Sequence, residues 1–301
     1  MRTVSEMNEK SIFANLVREP DGAVSAVYGA YRLQSALQPL FCEDEGGNLH
    51  IEAFEGWIRA SFDGIPCPPP EFFRRVPEAD RAAVDSLCRS LHILNAGALR
   101  RDGVGVIVNI EPHLFAEPQA LRQEIDRLRL TAREAGLQPD RIACKIRERS
   151  GDDASLPDRV AARLHAGGFS VAIDEYAGED RDLDRLRRLE PQLVSFDTSW
   201  LRSFTRNPAG LALVRVVIGQ FEENGIRAIV SGIETQEQID LCHALGSPLM
   251  QGYLLAGPEL APTGFDLRFP EPALSRAGRP AAGGMRSARP ARQFGRRRAS
   301  V

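Results

Sequence analysis

Oxygen-bearing side chains stand at the ends of several apolar segments of this sequence, at positions that could surround a metal ion. In chain order they are Glu55, Asn109, Asp174, Glu175, Glu234 and Gln251. Divalent cations such as Mg²⁺ and Mn²⁺ take oxygen ligands of this kind. Lys145 ends a further segment, although only two of the 38 Lys and Arg residues are lysines. Because an ammonium repels a divalent cation, the sequence predicts either a metal site or the remains of one.

The segments that carry these residues are short apolar runs separated by longer amphipathic ones. The strand-like runs are Val104–Ile110, Arg141–Ile146, Phe169–Asp174, Gln192–Asp197, Ile226–Ser231 and Leu249–Tyr253. The helix-like runs include Glu117–Ala135, Leu156–Ala166, Leu183–Leu189, Pro208–Glu223 and Gln236–Leu245. Continuous apolar strands that alternate with helices are typical of a parallel sheet covered on both faces.

Six such units predict an α/β fold, a TIM-like (β/α)8 barrel, with further strands expected at Leu37–Cys42 and Leu49–Arg59. A doubly wound open sheet also fits the alternation. However, no G-x-G-x-x-G follows a first strand, so dinucleotide binding of that type is not supported. In a barrel, the carboxyl ends of the strands meet at one face. The side chains expected at that face are Asn109, Lys145, Asp174, Ser195, Ser231 and Gln251.

The chain is expected to form one large domain between two flanking segments. Its 301 residues, 43% hydrophobic and 26% charged, are ordinary for a globular protein. Residues 1–25 are predicted to be a lead segment, residues 26–274 the barrel, and residues 275–301 a disordered basic tail. The tail has eight arginines and no acidic residue, against 30 basic and 41 acidic side chains in the rest. Contact of the tail with nucleic acid, an anionic membrane or the acidic body stays open.

Other features of the sequence exclude several classes of protein. No apolar run reaches the roughly 18 to 20 residues needed to cross a bilayer, and no signal-peptide core is found, which favours a cytoplasmic location. The five cysteines contain no C-x-x-C pair and the five histidines share no spacing, so neither a zinc site nor a disulfide framework is predicted. Residues 60–80, with three consecutive prolines, are expected to form an irregular connection.

Taken in order, the strand ends resemble a known series of motifs. Glu55-Gly56-Trp57-Ile58-Arg59 is similar to E-A-L-x-R, and Val108-Asn109 to V-N; Lys145 to Glu148 stands where E-x-x-E is expected. Asp174-Glu175-Tyr176-Ala177 is similar to D-D-F-G, and Ser195-Phe196-Asp197 stands where K-I-D is expected. Ser231-Gly232-Ile233-Glu234-Thr235 stands where E-G-V-E-T is expected, and Gln251-Gly252-Tyr253 matches Q-G-Y. The series resembles the EAL-domain family of cyclic di-GMP phosphodiesterases, from about Gln38 to Pro258.

The resemblance implies a metal-dependent site. In such a site, one or two Mg²⁺ or Mn²⁺ ions activate a water that opens the ring of cyclic di-GMP. The metal-ligand positions that the resemblance implies are Glu55, Asn109, Asp174, Glu175 and Glu234. The nucleotide-binding positions that it implies are Gln38, Arg59 and Gln251.

This sequence departs from the family pattern at three positions expected to be catalytic. Lys145 replaces a metal-ligating glutamate, Ser195 replaces a lysine and Ser231 replaces a glutamate; in addition, Trp57 replaces the leucine of E-A-L. These losses predict a chain that is not an enzyme and holds no metal or cofactor, with Mg²⁺ or Mn²⁺ needed only by a residual activity. In a second interpretation, Lys145 replaces the metal by pairing with Glu55 and Asp174.

The leading hypothesis is a catalytically inactive EAL-domain regulatory protein of bacterial signalling that acts through contact with an unidentified protein partner. One alternative is a cyclic di-GMP receptor that binds the nucleotide without cleaving it. A further alternative is a weak metal-dependent cyclic di-GMP phosphodiesterase. Barrels of this family commonly form homodimers, but the sequence leaves the oligomeric state open.

Overall fold

Strands and helices alternate along most of the chain. The structure is a computed structural model and describes residues 14–44, 46–148, 153, 155–246 and 248–271. The strands are β1 (Leu16–Arg18), β2 (Val24–Tyr28), β3 (Tyr31–Glu43), β4 (Leu49–Phe62), β5 (Ile65–Cys67), β6 (Gly105–Ile110), β7 (Ile142–Ile146), β8 (Ser170–Tyr176), β9 (Leu193–Phe196), β10 (Arg227–Val230), β11 (Leu249–Met250) and β12 (Glu259–Leu260). The helices are α1 (Pro69–Arg75), α2 (Arg81–Ala98), α3 (Pro118–Ala135), α4 (Ser155–Ala166), α5 (Asp180–Leu189), α6 (Thr198–Phe204), α7 (Pro208–Glu223), α8 (Gln236–Ala244) and α9 (Phe265–Arg268).

Eight of the strands close into a barrel, in the order β3, β4, β6, β7, β8, β9, β10 and β11. The pairs from β4 round to β11 are parallel. The ring is completed by β3, which runs antiparallel to both β4 and β11. The TIM-like barrel predicted from the sequence is therefore confirmed. A strand was expected at Leu37–Cys42, within β3, but its antiparallel direction was not predicted.

The interior of the barrel is closed by one apolar layer. Each of the eight strands contributes one buried residue to it. This plug consists of Leu40, Ala53, Ile107, Ala143, Ala172, Leu193, Ile229 and Leu249. The apolar neighbours of the plug residues on β6 to β11 point outward and form the large core between the sheet and the helices. Those on β3 and β4, Phe41 and Phe54, belong to a separate buried cluster with Phe265. The barrel centre is thus a packed core that leaves no room for a ligand at this level.

The helices pack around the sheet as the amphipathic runs predict. For example, α3 buries Leu121, Ile125 and Leu128, which recur at helical spacing on one face. Its end is set by Gly136, whose φ of 69° lies in the left-handed region that terminates many helices. None of the helices in the described ranges is both long and apolar enough to cross a membrane.

The amino-terminal part differs most from the sequence prediction. Residues 60–80 are not irregular throughout, because they include the end of β4, strand β5 and helix α1. The three prolines fit because Pro68 precedes α1 and the next two lie in its first turn, where no backbone N–H is required. The short β1 lies inside residues 1–25 and pairs with β2. The boundaries at residues 25 and 274 stay predictions, and the tail at 275–301 lies outside the described residues.

Candidate ligand site at the mouth of the barrel

A ring of polar side chains lies directly above the apolar plug, at the carboxyl ends of the parallel strands. Each member is two residues beyond a plug residue on a parallel strand, or two residues before it on the antiparallel β3. Because strand side chains alternate between faces, this spacing places the whole ring on the interior side. We call it the mouth layer, and it consists of Gln38, Glu55, Asn109, Lys145, Asp174, Ser195, Ser231 and Gln251. The structure therefore brings together eight residues that the sequence had singled out.

Lys145 forms a buried ion pair in the mouth layer. Its Nζ donates hydrogen bonds to Glu55 Oε1 at 2.7 Å and to Asp174 Oδ2 at 3.3 Å. Burial alone would lower the pKa of Lys145, but the two carboxylates outweigh burial and hold that pKa above its ordinary value. The side chain is therefore an ammonium at neutral pH. The contacts that the second interpretation predicted for Lys145 are present.

The carboxylate of Glu55 is held from two sides. Gln251 Nε2 donates to Glu55 Oε2 at 3.0 Å, while Lys145 engages the other oxygen. Gln38 Nε2 donates to the backbone carbonyl of Ala256 at 3.3 Å. Both glutamines were expected to contact a nucleotide, but their amide nitrogens already have partners within the protein. Gln251 therefore orients Glu55 in this structure.

Ser195 and Ser231 form a neutral pair on the opposite side of the mouth. Their hydroxyl oxygens are 3.1 Å apart, so one donates to the other. The resemblance places a lysine and a glutamate at these two positions, and two serines replace both charges while satisfying each other's hydrogen bond. The net charge of the pair is the same in either case, whereas Lys145 reverses a charge.

Three other predicted site residues lie at the rim, outside the mouth layer. Glu175 is exposed and has a φ of 57°, an uncommon left-handed conformation for a non-glycine residue. Glu234 is exposed and precedes Thr235, which caps α8. Arg59 Nη1 donates to the backbone carbonyl of Ile58 at 3.1 Å. Within the described ranges, none of these three side chains bonds to the mouth layer.

Asn109 contributes an acceptor without a partner. Its backbone carbonyl accepts a hydrogen bond from Arg89 Nη1 at 3.0 Å, which fixes the end of β6. Its side-chain Oδ1 is buried, and no described residue donates to it. Because β6 and β7 align Asn109 with Lys145, this acceptor lies beside the ion pair. An unpaired buried oxygen costs free energy, so a ligand that donates to it gains by binding.

A divalent metal does not fit this set of side chains. The Lys145 ammonium already bonds two of the carboxylates that would ligate the metal. At about 4 Å and an effective dielectric of about 20, a dication and an ammonium repel each other by roughly 8 kcal/mol. In the part of the chain that the structure describes, no three His, Cys, Asp or Glu side chains converge in a way that could hold a metal ion. The carboxylates of Glu55 and Asp174 therefore bind an ammonium instead, and Asn109 lies beside it.

Two residues beside Glu55 were not assigned a role from the sequence. A Cβ built on Gly56 would lie 2.3 Å from Cγ of His92, which explains why glycine stands where the family signature has alanine. His92, on α2, bonds Ser35 Oγ through Nδ1 at 2.7 Å. Burial, with the positive charges of Arg89 and Arg59, lowers the pKa of His92 to about 3, so the imidazole is neutral. Gly56 was the available signal, because a missing side chain in a strand indicates close approach of another group.

The closed barrel and its polar mouth define an α/β-barrel protein with a layer of polar side chains at the carboxyl ends of its strands, where barrels of this kind bind ligands. The chain belongs to the EAL domain family, whose model matches residues 26–258. RocR of Pseudomonas aeruginosa, named a cyclic di-GMP phosphodiesterase, is 27% identical over 261 residues, which cover 84% of this chain and 62% of RocR. MucR of the same organism, a bifunctional diguanylate cyclase/cyclic di-GMP phosphodiesterase, is 24% identical over 73% of this chain and 32% of MucR.

A solved structure supports the same assignment. BlrP1 of Klebsiella pneumoniae, in a manganese/cyclic di-GMP complex, is 26% identical and superimposes with a TM-score of 0.63, over 76% of this chain and 56% of BlrP1. The chain spans less than two thirds of the length of these relatives.

The prediction that the chain is not an enzyme is wrong, because the relatives that align with its barrel are named phosphodiesterases. That prediction treated three replaced side chains as sufficient to abolish function. The mouth layer instead retains the carboxylates of Glu55 and Asp174 and the acceptor of Asn109.

Proposed function

We propose that the mouth of this barrel binds cyclic di-GMP and that the Lys145 ammonium supplies the positive charge for binding, without a divalent metal. The observation that carries the proposal is the position of Lys145 Nζ, 2.7 Å from Glu55 and 3.3 Å from Asp174. A metal ion bound by the same carboxylates would occupy this region. The nucleotide-binding part of the proposal is supported by the family and by BlrP1, whose complex with cyclic di-GMP also contains manganese.

The hydrogen-bonding capacity of Lys145 fits an anionic ligand. An ammonium has three N–H donors, and two of them serve Glu55 and Asp174. The third can donate to a phosphate oxygen of the nucleotide. A unit charge pair at about 4 Å and an effective dielectric of about 20 is worth roughly 4 kcal/mol before desolvation is subtracted. Arg59, at the rim, adds a second cation that matches phosphate geometry.

The test is a calorimetric titration of the protein with cyclic di-GMP, in EDTA and in Mn²⁺. We expect the same affinity in both buffers. Lys145→Met, which removes the charge but keeps the length, should weaken binding at least about tenfold, because it removes a charged hydrogen bond. Arg227→Met is the matched control, since Arg227 pairs with Glu52 at the far end of the barrel. Its affinity should stay within about twofold of the parent.

Chromatography of the same samples reports whether the bound nucleotide is cleaved. Binding that requires Mn²⁺, or an unchanged affinity for Lys145→Met, would contradict the role of Lys145. No binding in either buffer would contradict the proposed function as a whole.

Other parts of the sequence-based hypothesis stay predictions. They are the action through a protein partner, the homodimer and the cytoplasmic location. Contact of the tail with nucleic acid or an anionic membrane also stays a prediction, because residues 275–301 lie outside the described part of the chain.

A further inference from the structure

Trp57 carries a buried hydrogen-bond donor that the fold does not use. It lies on β4 between Glu55 and Arg59, two residues from each, so the three side chains share one face of the strand. Its indole Nε1 is buried, and no described residue accepts a hydrogen bond from it. Asn109 Oδ1 is the matching orphan acceptor on the adjacent β6. Since both atoms are unpaired, they do not bond each other.

Trp200, the other tryptophan of the chain, has a packing role and serves as a comparison for Trp57. Trp200 stacks on Phe196 at 5.9 Å and on Phe204 at 5.0 Å between ring centroids. By contrast, Trp57 pairs with no other aromatic ring in the described ranges, and it replaces the leucine of the family signature. A structural residue at this position could be fully apolar. The indole N–H therefore requires an explanation other than packing.

We propose that the Trp57 indole N–H donates a hydrogen bond to a phosphate oxygen of the bound nucleotide. The inference rests on the proposed function of the mouth and names a residue that contacts the ligand. An indole N–H can only donate, so its partner must be an acceptor. Arg59 lies on the same strand face as Trp57, and Lys145 bonds Glu55 of that face. Two cationic donors beside the indole favour an anionic phosphate over a base edge that also donates.

The contact can be observed directly because the chain has only two tryptophans. A ¹⁵N-labelled sample gives one indole N–H signal for each, and Trp57→Phe and Trp200→Phe assign them. Saturation with cyclic di-GMP should move the Trp57 indole proton downfield and slow its exchange with water. The Trp200 signal should stay in place. An unmoved Trp57 signal at saturation would overturn the inference while leaving the proposed function intact.

Affinity gives the second readout. Trp57→Phe keeps an aromatic ring and removes the donor, so the dissociation constant for cyclic di-GMP should rise about tenfold, which is about 1.4 kcal/mol. Trp200→Phe is the matched control and should bind within about twofold of the parent. The thermal midpoint should fall for Trp200→Phe but not for Trp57→Phe, because only Trp200 packs in an aromatic cluster. Unchanged affinity of Trp57→Phe would contradict the contact.

A phosphorothioate analogue of cyclic di-GMP tests which oxygen accepts. Sulfur accepts hydrogen bonds more weakly than oxygen, so the downfield shift of the Trp57 indole should shrink with this analogue. If the shift is as large as with the natural nucleotide whichever of the two non-bridging oxygens is replaced by sulfur, the contact lies on the base or ribose and the phosphate assignment is overturned. If the parent protein binds neither nucleotide, the proposed function fails together with this inference.

Discussion

The protein has two buried ionic clusters, one bonded to β6 and one on the neighbouring β7. They differ in whether all of the polar atoms in and beside them have hydrogen-bond partners. In the helix cluster, between α2 and α3, Arg89 donates to Glu124 Oε1 at 2.9 Å and to Asp85. It also donates to the backbone carbonyl of Asn109 and to Ser86 Oγ. In the mouth layer, Lys145 pairs with Glu55 and Asp174, beside two atoms that have no partner.

The difference distinguishes a structural network from a ligand site. Burial alone would raise the pKa of Glu124, but Arg89 and Arg127 outweigh it and lower that pKa, so Glu124 stays ionised. Burial raises the pKa of Asp85 to about 6 in spite of Arg89. The helix cluster joins α2, α3 and β6, and none of the side chains in it has a buried polar atom without a partner that a ligand could satisfy. The mouth layer has the same kind of ion pair, but Asn109 within it retains an unpaired acceptor, and Trp57 next to Glu55 on β4 retains an unpaired donor. A buried charge is therefore weak as an indicator of function, and an unpaired polar atom beside it is the stronger one.

Breaking the helix cluster should have the largest effect. Arg89→Met leaves Glu124 buried without its main counter-charge, so the free energy of unfolding should fall by about 3–5 kcal/mol. Urea denaturation measures it. Arg18→Met is the matched control, because Arg18 forms an exposed pair with Glu134 and should cost less than about 1 kcal/mol. A loss below about 1 kcal/mol for Arg89→Met would mean that the helix cluster does not stabilise the fold.

His92 follows Arg89 by three residues on α2 and packs against Gly56, the neighbour of Glu55, and a substitution at Gly56 tests that contact. Gly56→Ala would place a methyl group 2.3 Å from His92 Cγ, so we expect a loss of about 1–3 kcal/mol of stability. In the His92→Ala background, the same change should cost much less, because the space is then free. Gly219→Ala, which meets no atom within 4 Å, is the control and should not destabilise. Additive costs in the double variant would show that the two residues are independent.

The barrel and its mouth could be predicted because the side chains of a β-strand alternate between its two faces with a period of two residues. Each mouth residue stands two positions from a plug residue, so a sequence that marks the end of an apolar run also marks the mouth. The ion pair of Lys145 could also be anticipated, since a lysine among carboxylates must pair when buried. That Lys145 pairs with Glu55, 90 residues away in the sequence, could be seen only in the folded structure.

The parts that could not be predicted depend on long-range packing. His92 lies on α2, and nothing in its local pattern indicates that it presses against Gly56 of β4. Trp57 was identified as unusual, but its unpaired N–H is a property of the assembled mouth. Glu124 gave a signal that was not used: it lies between Leu121 and Leu128 on the buried face of α3, and a charge there predicts a buried partner.

The neutral state of His92 predicts a pH dependence of stability. Its folded pKa of about 3 lies below the unfolded value of about 6.5, so the unfolded chain binds a proton that the native chain does not. Stability should therefore fall as pH decreases from about 6.5 towards 3, by about 1.4 kcal/mol per pH unit from this residue. His92→Gln should show a correspondingly shallower dependence in urea denaturation. Ser35→Ala keeps the buried imidazole, so it should keep the slope of the parent.

The smallest effect expected is the one that tests the mouth layer most directly. Lys145→Glu restores the residue that the family signature has at this position and turns the cation into a possible metal ligand. In EDTA, affinity for cyclic di-GMP should fall at least as far as in Lys145→Met, by about tenfold or more, because the ammonium is lost and an anion takes its place. Addition of Mn²⁺ should recover it, since Glu55, Asn109 and Asp174 then surround a site that fits a divalent cation. Arg227→Glu makes the same charge change at the far end of the barrel and should show neither effect. If Lys145→Glu binds the nucleotide equally well in EDTA and in Mn²⁺, nucleotide binding does not require a cation in the mouth layer. The mouth would then differ from the helix cluster only in the unpaired atoms of Trp57 and Asn109.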